Sequence, residues 1–179
     1  MSRPPALNIP TRADEALEID YSSPLSDDFE DLSRDRVPIR SMEAGDLDQL
    51  IAIDEKITGQ NRRAYYERKL AETLDESAIR VSLVAENNAS PIGFIMARVD
   101  FGEFGQAEPE AVIDTIGVEP LYTHMDVGTA MMSQLLVNLS ALNIDRVRTE
   151  VNWNQYPLLS FLEGCGFAPS NRRSWQRRL

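Results

Sequence analysis

This chain of 179 residues has almost none of the residue types that build disulfide frameworks and zinc sites, with one cysteine (Cys165) and one histidine (His124). A single cysteine excludes an internal disulfide and is consistent with a reducing cytoplasm, where we expect the protein to reside. One Cys and one His also argue against a structural zinc site, so we expect no metal. The sequence lacks a membrane-length apolar run, and its amino terminus lacks the apolar segment of a signal peptide. These absences predict a soluble globular protein that does not bind membranes.

Basic residues are too few to suggest a nucleic-acid-binding surface. The net charge is −11, whereas the neutralisation of phosphates needs a basic face. An acidic body attracts cationic substrates such as amines or basic peptides, although solubility alone also explains the charge. We therefore expect no nucleic-acid partner.

Residues 1–36 differ in composition from the rest of the chain. They hold nine acidic side chains, four arginines and four prolines, with a net charge of −5 and no sustained apolar period. Such a segment buries too little apolar surface to offset the entropy lost on ordering. We predict a disordered acidic tail, with a docking arm for a partner as the alternative, and a folded domain over residues 37–179.

From residue 37 onwards the hydrophobic pattern switches between the periods of strands and helices, in the order β α α β β β α β α β. The predicted strands cover residues 37–42, 80–86, 92–99, 111–118, 145–151 and 167–179, and the predicted helices cover residues 46–57, 62–76, 127–142 and 157–164. Residues 87–90 (Asn-Asn-Ala-Ser) are typical of a hairpin turn. This order predicts an α/β fold with a central mixed sheet and helices on both faces.

The junction between the strand at 111–118 and the helix beginning at Val127 is a candidate anion site. A loop that enters a helix exposes unpaired backbone N–H groups, and the helix dipole adds partial positive charge there. Both features suit a pyrophosphate. The sequence contains neither GxGxxG nor GxxxxGK[ST], which counts against the common nucleotide-binding loops.

Residues 118–122 (Val-Glu-Pro-Leu-Tyr) followed by 127–132 (Val-Gly-Thr-Ala-Met-Met) are a predicted strand end and the start of a helix, and residues 158–167 are a predicted helix that ends in Gly-Phe. The first segment resembles the central strand, loop and helix of the GNAT superfamily of N-acetyltransferases, and the second resembles its closing helix. The resemblance spans residues 37–179. The resemblance implies a GNAT-like fold and direct transfer of an acetyl group from acetyl-CoA to an amine. The positions it assigns to the cofactor are Ile116, Gly117, Val118, Thr123, His124, Met125, Asp126, Val127, Gly128 and Thr129. Asn154, one residue before the aligned Gln155, is the candidate for the Asn that often contacts the pantetheine arm in the family.

Three positions depart from the family's pattern. Thr123 stands where the family has Arg or Gln, and Asp126 stands where it has Gly. A carboxylate at position 126 repels a pyrophosphate unless it turns outward or meets a base. Leu162 stands where many members carry a Tyr that protonates the departing thiolate, and Tyr122 and Tyr156 are alternative acids. These departures keep a second hypothesis open, a catalytically weakened module that binds an acyl-CoA or a protein partner.

Direct transfer requires a base that takes a proton from the attacking amine, and three carboxylates are candidates: Asp114, Glu150 and Glu103. Glu103 lies in the acidic segment 100–110, which also contains Phe101 and Phe104. This segment is interpreted either as the lip of an amine site, with carboxylates for the cation and rings for its carbon chain, or as a solvated hairpin tip.

Asp114 is the preferred base because it is predicted to share an apolar strand face with Val112, Ile116 and Val118. Desolvation on such a face raises the pKa of a carboxyl group and suits it to act as a base. The alternative is a structural ion pair with Arg98 or Arg148 on a neighbouring strand.

The sequence therefore predicts an acetyl-CoA-dependent N-acetyltransferase whose acceptor is a primary amine of a protein or a small cationic molecule. The weakened acyl-CoA-binding or protein-binding regulatory module is the alternative, and a homodimer is compatible with either.

Overall fold

The structure is a computed structural model that describes residues 37–74, 79, 81–101, 108–171 and 177. Within these ranges the strands are β1 (Ile39–Ser41), β2 (Leu83–Asn87), β3 (Ser90–Asp100), β4 (Glu110–Val118) and β5 (Val147–Thr149), and the α-helices are α1 (Leu47–Thr58), α2 (Arg63–Leu74), α3 (Val127–Ala141) and α4 (Tyr156–Gly164). Short 3-10 turns cover Ala44–Asp46 and Pro120–Tyr122. The order predicted from β1 to α4 is confirmed. The acidic tail predicted at residues 1–36 lies outside the described residues.

The five strands form one sheet in chain order, β1-β2-β3-β4-β5. The first four pair antiparallel, and β4 pairs with β5 in parallel. A parallel pair needs a long crossover, which α3 supplies. β2 and β3 are joined through Asn88 and Ala89, whose positive φ angles of 49° and 61° match the twist of a tight hairpin. The mixed sheet and the hairpin turn are therefore as predicted.

Each face of the sheet has its own apolar core. On one face Met131 of α3 and Leu162 of α4 are buried against Ile113 of β4; we call this the α3/α4 core. On the other face Tyr66 of α2 packs edge-on against Phe94 of β3, with ring centroids 5.7 Å apart; we call this the α1/α2 core. Burial of side chains this large contributes about 1.5–3 kcal/mol each, so helices are held on both faces.

Helix α1 ends where its sequence predicts. Gly59 adopts a left-handed φ of 70°, and its N–H donates to the carbonyl of Glu55 at 2.8 Å. Glycine takes this conformation without the steric penalty of a Cβ atom. The end of α1 lies beside the end of β4, because Lys56 Nζ is 2.7 Å from Glu119 Oε2.

Two predicted strands are wrong in extent. The strand predicted over 145–151 forms only over Val147–Thr149, where β4 provides a partner. The strand predicted over 167–179 is not formed in residues 167–171, because the chain turns at Gly166 (φ 80°) and Phe167 then packs against the α3/α4 core. Residues 172–176, 178 and 179 lie outside the described residues, as do residues 75–78 beyond α2. None of the helices in the described ranges is long and apolar enough to cross a membrane.

Candidate functional site

Strand β4 is paired along its whole length on one side but along only part of it on the other. It pairs with β3 throughout, and with β5 only over residues 111–113. The β5 ladder ends where Thr149 Oγ1 donates to the carbonyl of Ile113 at 3.0 Å. Among the described residues, none pairs with the β5 side of residues 114–118, which we call the open half of β4.

The open half presents backbone groups at its free edge. The N–H of Glu119 points to β3, where it donates to the carbonyl of Ile92 at 2.8 Å. Successive residues of a strand direct their N–H and C=O groups to alternate sides. Gly117 therefore also faces β3, whereas Ile116 and Val118 face the free edge.

Gly117 is required by packing. A Cβ atom at this position would lie 2.7 Å from Cε1 of Phe94 and 3.3 Å from Cδ1 of Ile57. Glycine therefore allows the Phe94 ring and the end of α1 to lie against the open half. Close packing is the role of Gly117 that these contacts show.

A β-bulge marks the start of the open half. Met96 of β3 faces Thr115, and the next residue, Ala97, faces Ile113, so Asp114 is an extra residue on β4. Bulges of this kind re-aim side chains and end regular pairing. This bulge coincides with the point at which β4 loses its β5 partner.

The bulge changes which side chains share a face. Asp114 points towards α2, where its Oδ2 is 3.3 Å from Lys69 Nζ. Ile116 and Val118 pack against the α3/α4 core on the opposite face. The prediction that Asp114 shares a strand face with Ile116 and Val118 is therefore wrong. The extra residue shifts the alternation of side chains between the two faces of the sheet.

Both carboxylate oxygens of Asp114 are engaged by cations. Arg98 Nη1 donates to Oδ1, and Lys69 approaches Oδ2. The predicted alternative of an ion pair with Arg98 is therefore confirmed. Burial lowers the pKa of Lys69, but its hydrogen bond to Glu72 and the charge of Asp114 outweigh burial and raise that pKa above its ordinary value.

The acidic residues at the other end of β3 and β4 hold strands together. Arg148 Nη2 lies 3.2 Å from Asp100 Oδ2, and its Nε lies 3.1 Å from Glu110 Oε2. Both carboxylates are already paired with arginine, Glu110 with Arg148 and Asp100 with Arg148 and Arg98, so these two do not form a free lip for an amine. Glu150 is 3.9 Å from Arg148 with a side chain 80% exposed, and Glu103 lies outside the described residues.

The loop after β4 adopts the backbone conformation that glycine favours. His124 and Asp126 have φ angles of 68° and 58°, although neither is glycine. Both side chains are exposed, like those of Thr123 and Met125. Asp126 immediately precedes α3 and makes no capping hydrogen bond with its side chain. The position at which the family pattern has glycine is thus a left-handed one here, occupied by a carboxylate that faces solvent.

The start of α3 provides unpaired donors. The first backbone bond into the helix runs from Ala130 N–H to the carbonyl of Asp126 at 2.8 Å. In this fully described loop, no backbone carbonyl accepts from the N–H groups of Val127, Gly128 and Thr129. Such donors, with the helix dipole, suit an anion. A Cβ atom at Gly128 would lie 3.2 Å from the Phe161 ring, so this glycine lets α4 pack against the start of α3.

The segment between β5 and α4 begins at the same end of the sheet as the loop after β4. This is because β4 and β5 are parallel and each segment follows the carboxyl end of its strand. Asn154 is exposed in a turn of this segment. Leu162 is 7% exposed and belongs to the α3/α4 core, so it supplies no acid. Tyr122 Oη accepts a hydrogen bond from Asn87 Nδ2 at 2.8 Å, and Tyr156 is 74% exposed.

Two features lie apart from this edge. An open groove of about 550 Å³ at the amino end of β5 is lined by Glu110, Asp145, Arg146, Val147, Arg148, Ser170 and Asn171. It lies at the opposite end of β5 from the predicted cofactor loop. The described residues contain no group of three or more His, Cys, Asp or Glu side chains placed to hold a metal ion.

The structure thus brings Asp114, the free edge of β4 and the start of α3 together along one strand and the loop that follows it. Sequence reasoning missed Lys69. The spacing could have indicated that Lys69 faces the sheet, because Tyr66, Lys69 and Leu70 stand at i, i+3 and i+4 and share a face of α2.

Comparisons with known proteins agree with this fold. The model of the Acetyltransferase (GNAT) family matches residues 47–167. No curated protein sequence matches the chain. Similar solved structures include a transcriptional regulator from Bacillus halodurans C-125, with 16% identity over 80% of this chain and 99% of that one, at a TM-score of 0.66.

Two similar structures are N-acetyltransferases by description. Aminoglycoside N-acetyltransferase AAC(6')-Iy, solved with a CoA-containing bisubstrate analogue, has 15% identity over 80% of this chain and 98% of that one, at a TM-score of 0.66. Ribosomal-protein-alanine N-acetyltransferase from Brucella melitensis biovar Abortus 2308 has 16% identity over 80% of this chain and 99% of that one, at a TM-score of 0.63. At these identities the structural matches show a shared fold.

Proposed function

Because the chain belongs to the acetyltransferase (GNAT) family, we propose that it transfers the acetyl group of acetyl-CoA to a primary amine of a protein or a small cationic molecule. The observation that carries this proposal is the open half of β4, which leads directly into the unpaired N–H groups at the start of α3. A strand edge that can bind an extended amide chain is thereby continuous with a site for phosphate.

The cofactor is proposed to lie along this edge. The N–H groups of Val127, Gly128 and Thr129 would hold the pyrophosphate, lined by the loop residues Thr123, His124, Met125 and Asp126. Ile116 and Val118 would bind the pantetheine arm through their backbone, with Gly117 between them, and Asn154 would approach from the β5 side. The exposed carboxylate of Asp126 fits this arrangement only when it stays turned towards solvent.

Acetyl-CoA supplies an activated acyl group, and the chain supplies orientation and proton transfer. Backbone N–H groups at the free edge of β4 would polarise the acyl carbonyl, since preorganised donors stabilise charge that develops on oxygen. Asp114 is the proposed base, at the start of the same edge, with Arg98 and Lys69 fixing its orientation. Glu150 is the exposed alternative, and Glu103 remains a prediction outside the described residues.

A second function is favoured by one observation. Leu162, whose side chain has no acidic group, is buried at the position where the resemblance implies an acid. A chain that binds acyl-CoA without turnover, as a regulatory module, would need no acid at all.

Calorimetric titration with acetyl-CoA, followed by thiol release across a panel of amines and basic peptides, separates these functions. We expect saturable binding and thiol release with at least one amine. Binding without thiol release for any amine would favour the regulatory module. No binding at millimolar acetyl-CoA would refute both proposals.

A further inference from the structure

The chain contains only two lysines, Lys56 and Lys69, and both contact the strand that carries the proposed site. Lys69 Nζ lies 3.3 Å from Asp114 Oδ2 at the start of the open half, and Lys56 Nζ lies 2.7 Å from Glu119 Oε2 just beyond its end. The two differ in exposure. The side chain of Lys69 is 17% exposed and that of Lys56 is 55% exposed.

The ammonium of Lys69 has the surroundings expected of an acceptor amine. It projects from α2 onto the bulge where β4 loses its β5 partner, and it contacts the carboxylate assigned above as the base. Lys69 Nζ also donates a hydrogen bond of 2.9 Å to Glu72 Oε2 on the same helix. Arg98 Nη1 of β3 donates to the other carboxylate oxygen of Asp114, Oδ1. Lys69 therefore already occupies the position beside Asp114 that the amine of an external acceptor would take.

We propose that Lys69 is an acetyl acceptor within its own chain, a modification site that rests on the proposed acetyltransferase function. In the step, Asp114 takes a proton from the Lys69 ammonium, and the freed amine attacks the thioester carbonyl carbon. The new C–N bond forms as the C–S bond breaks, and the departing thiolate takes up the second proton that the nitrogen loses, so that it leaves as CoA thiol. The product is Nζ-acetyl-Lys69, which carries no charge and no longer pairs with Asp114 or Glu72.

The test uses the whole chain incubated with acetyl-CoA and mapped by peptide mass spectrometry over time. Lys56 is the internal control, because acetylation by free acetyl-CoA in solution favours the more exposed amine. We expect Lys69 to be modified at least about tenfold faster than Lys56, since a positioned amine reacts at a high effective concentration. Equal rates, or faster modification of Lys56, would overturn the proposal.

The order of the reaction gives a second test. Transfer within one chain has a half-time that does not change when the protein is diluted a hundredfold at saturating acetyl-CoA, whereas transfer between chains slows in proportion. A half-time that lengthens with dilution would refute the intramolecular step.

Two variants separate this inference from the proposed function. Lys69→Arg keeps the cation beside Asp114, so we expect it to bind acetyl-CoA with unchanged affinity and to lose the modification. Asp114→Asn should slow the modification of Lys69 and leave that of Lys56 unaltered. Thiol release to an external amine without modification of Lys69 would overturn this inference alone. Absence of acetyl-CoA binding would overturn the proposed function as well.

Discussion

The two parts of β4, residues 111–113 and residues 114–118, have different surroundings. Residues 111–113 are flanked by β3 and β5 and are buried, whereas residues 114–118 have β3 on one side only and are half-buried apart from Gly117. The first half pairs with a neighbouring strand on both sides. In the second half the backbone N–H and C=O groups of Ile116 and Val118 remain at a free edge. Pairing with β5 distinguishes the part of the strand that builds the fold from the part that can bind a ligand.

The largest expected effect tests the paired half by comparing Ile113→Ala with Ile116→Ala. Ile113 is 4% exposed in the α3/α4 core, so truncation should lower the free energy of unfolding by about 2–5 kcal/mol. Ile116 is only partly buried and should lose less than half as much. Urea denaturation measures both, and equal losses would contradict the division of β4 into two halves.

The next test addresses the bulge. Asp114→Asn should lower the acetylation rate by about 100-fold, since a positioned base contributes 10²–10⁴-fold, while calorimetry shows unchanged affinity for acetyl-CoA. Glu150→Gln is the matched control, because that exposed carboxylate should be dispensable. Loss of binding and rate together in Asp114→Asn would mean that the residue only supports the fold. A similar loss of acetylation rate in Glu150→Gln would identify Glu150 as the base.

A smaller effect is expected where the open half enters the loop. Asp126→Gly should tighten acetyl-CoA binding about fivefold, the equivalent of the roughly 1 kcal/mol between two unit charges 4 Å apart in water. Asp126→Asn removes the charge and keeps a side chain that tolerates the left-handed conformation. Tightening in both variants identifies charge as the cause, and tightening in the glycine variant alone identifies the backbone. Unchanged or weaker binding in both variants would show that this solvent-facing carboxylate does not repel the bound pyrophosphate.

The smallest effect is expected at the end of the open half, where Lys56 pairs with Glu119. Because Lys56 is more than half exposed, a double-mutant cycle with Lys56→Ala and Glu119→Gln should give a coupling energy below about 1 kcal/mol. High salt should reduce it further. A coupling above about 2 kcal/mol would assign this pair a larger part in holding α1 against β4.

Local patterns explain how much of the fold could be predicted. The helical period of the sequence puts Met131, Leu135 and Leu139 on one stripe of α3, and all three are buried. Leu142 continues that period and lies within the predicted helix 127–142, but it is just past the last helical turn and is 44% exposed. The positions in the loop were also located by their order along the chain, although their binding roles remain proposals.

Contacts between distant residues explain what could not be predicted. The bulge at Asp114 depends on how β3 and β4 align, and the partner Lys69 comes from a helix 45 positions earlier in the chain. Nothing in the sequence of β4 marks the residue at which β5 stops pairing.

By itself, the sequence determined the order of strands and helices up to α4, the hairpin turn and the strand–loop–helix junction, because hydrophobic period, turn residues and helix-end glycine act within a few positions. Only the tertiary structure decided which face Asp114 occupies, which half of β4 is left open and which lysine meets the carboxylate. Those properties follow from register and from helix docking, which depend on the summed contacts of the whole domain.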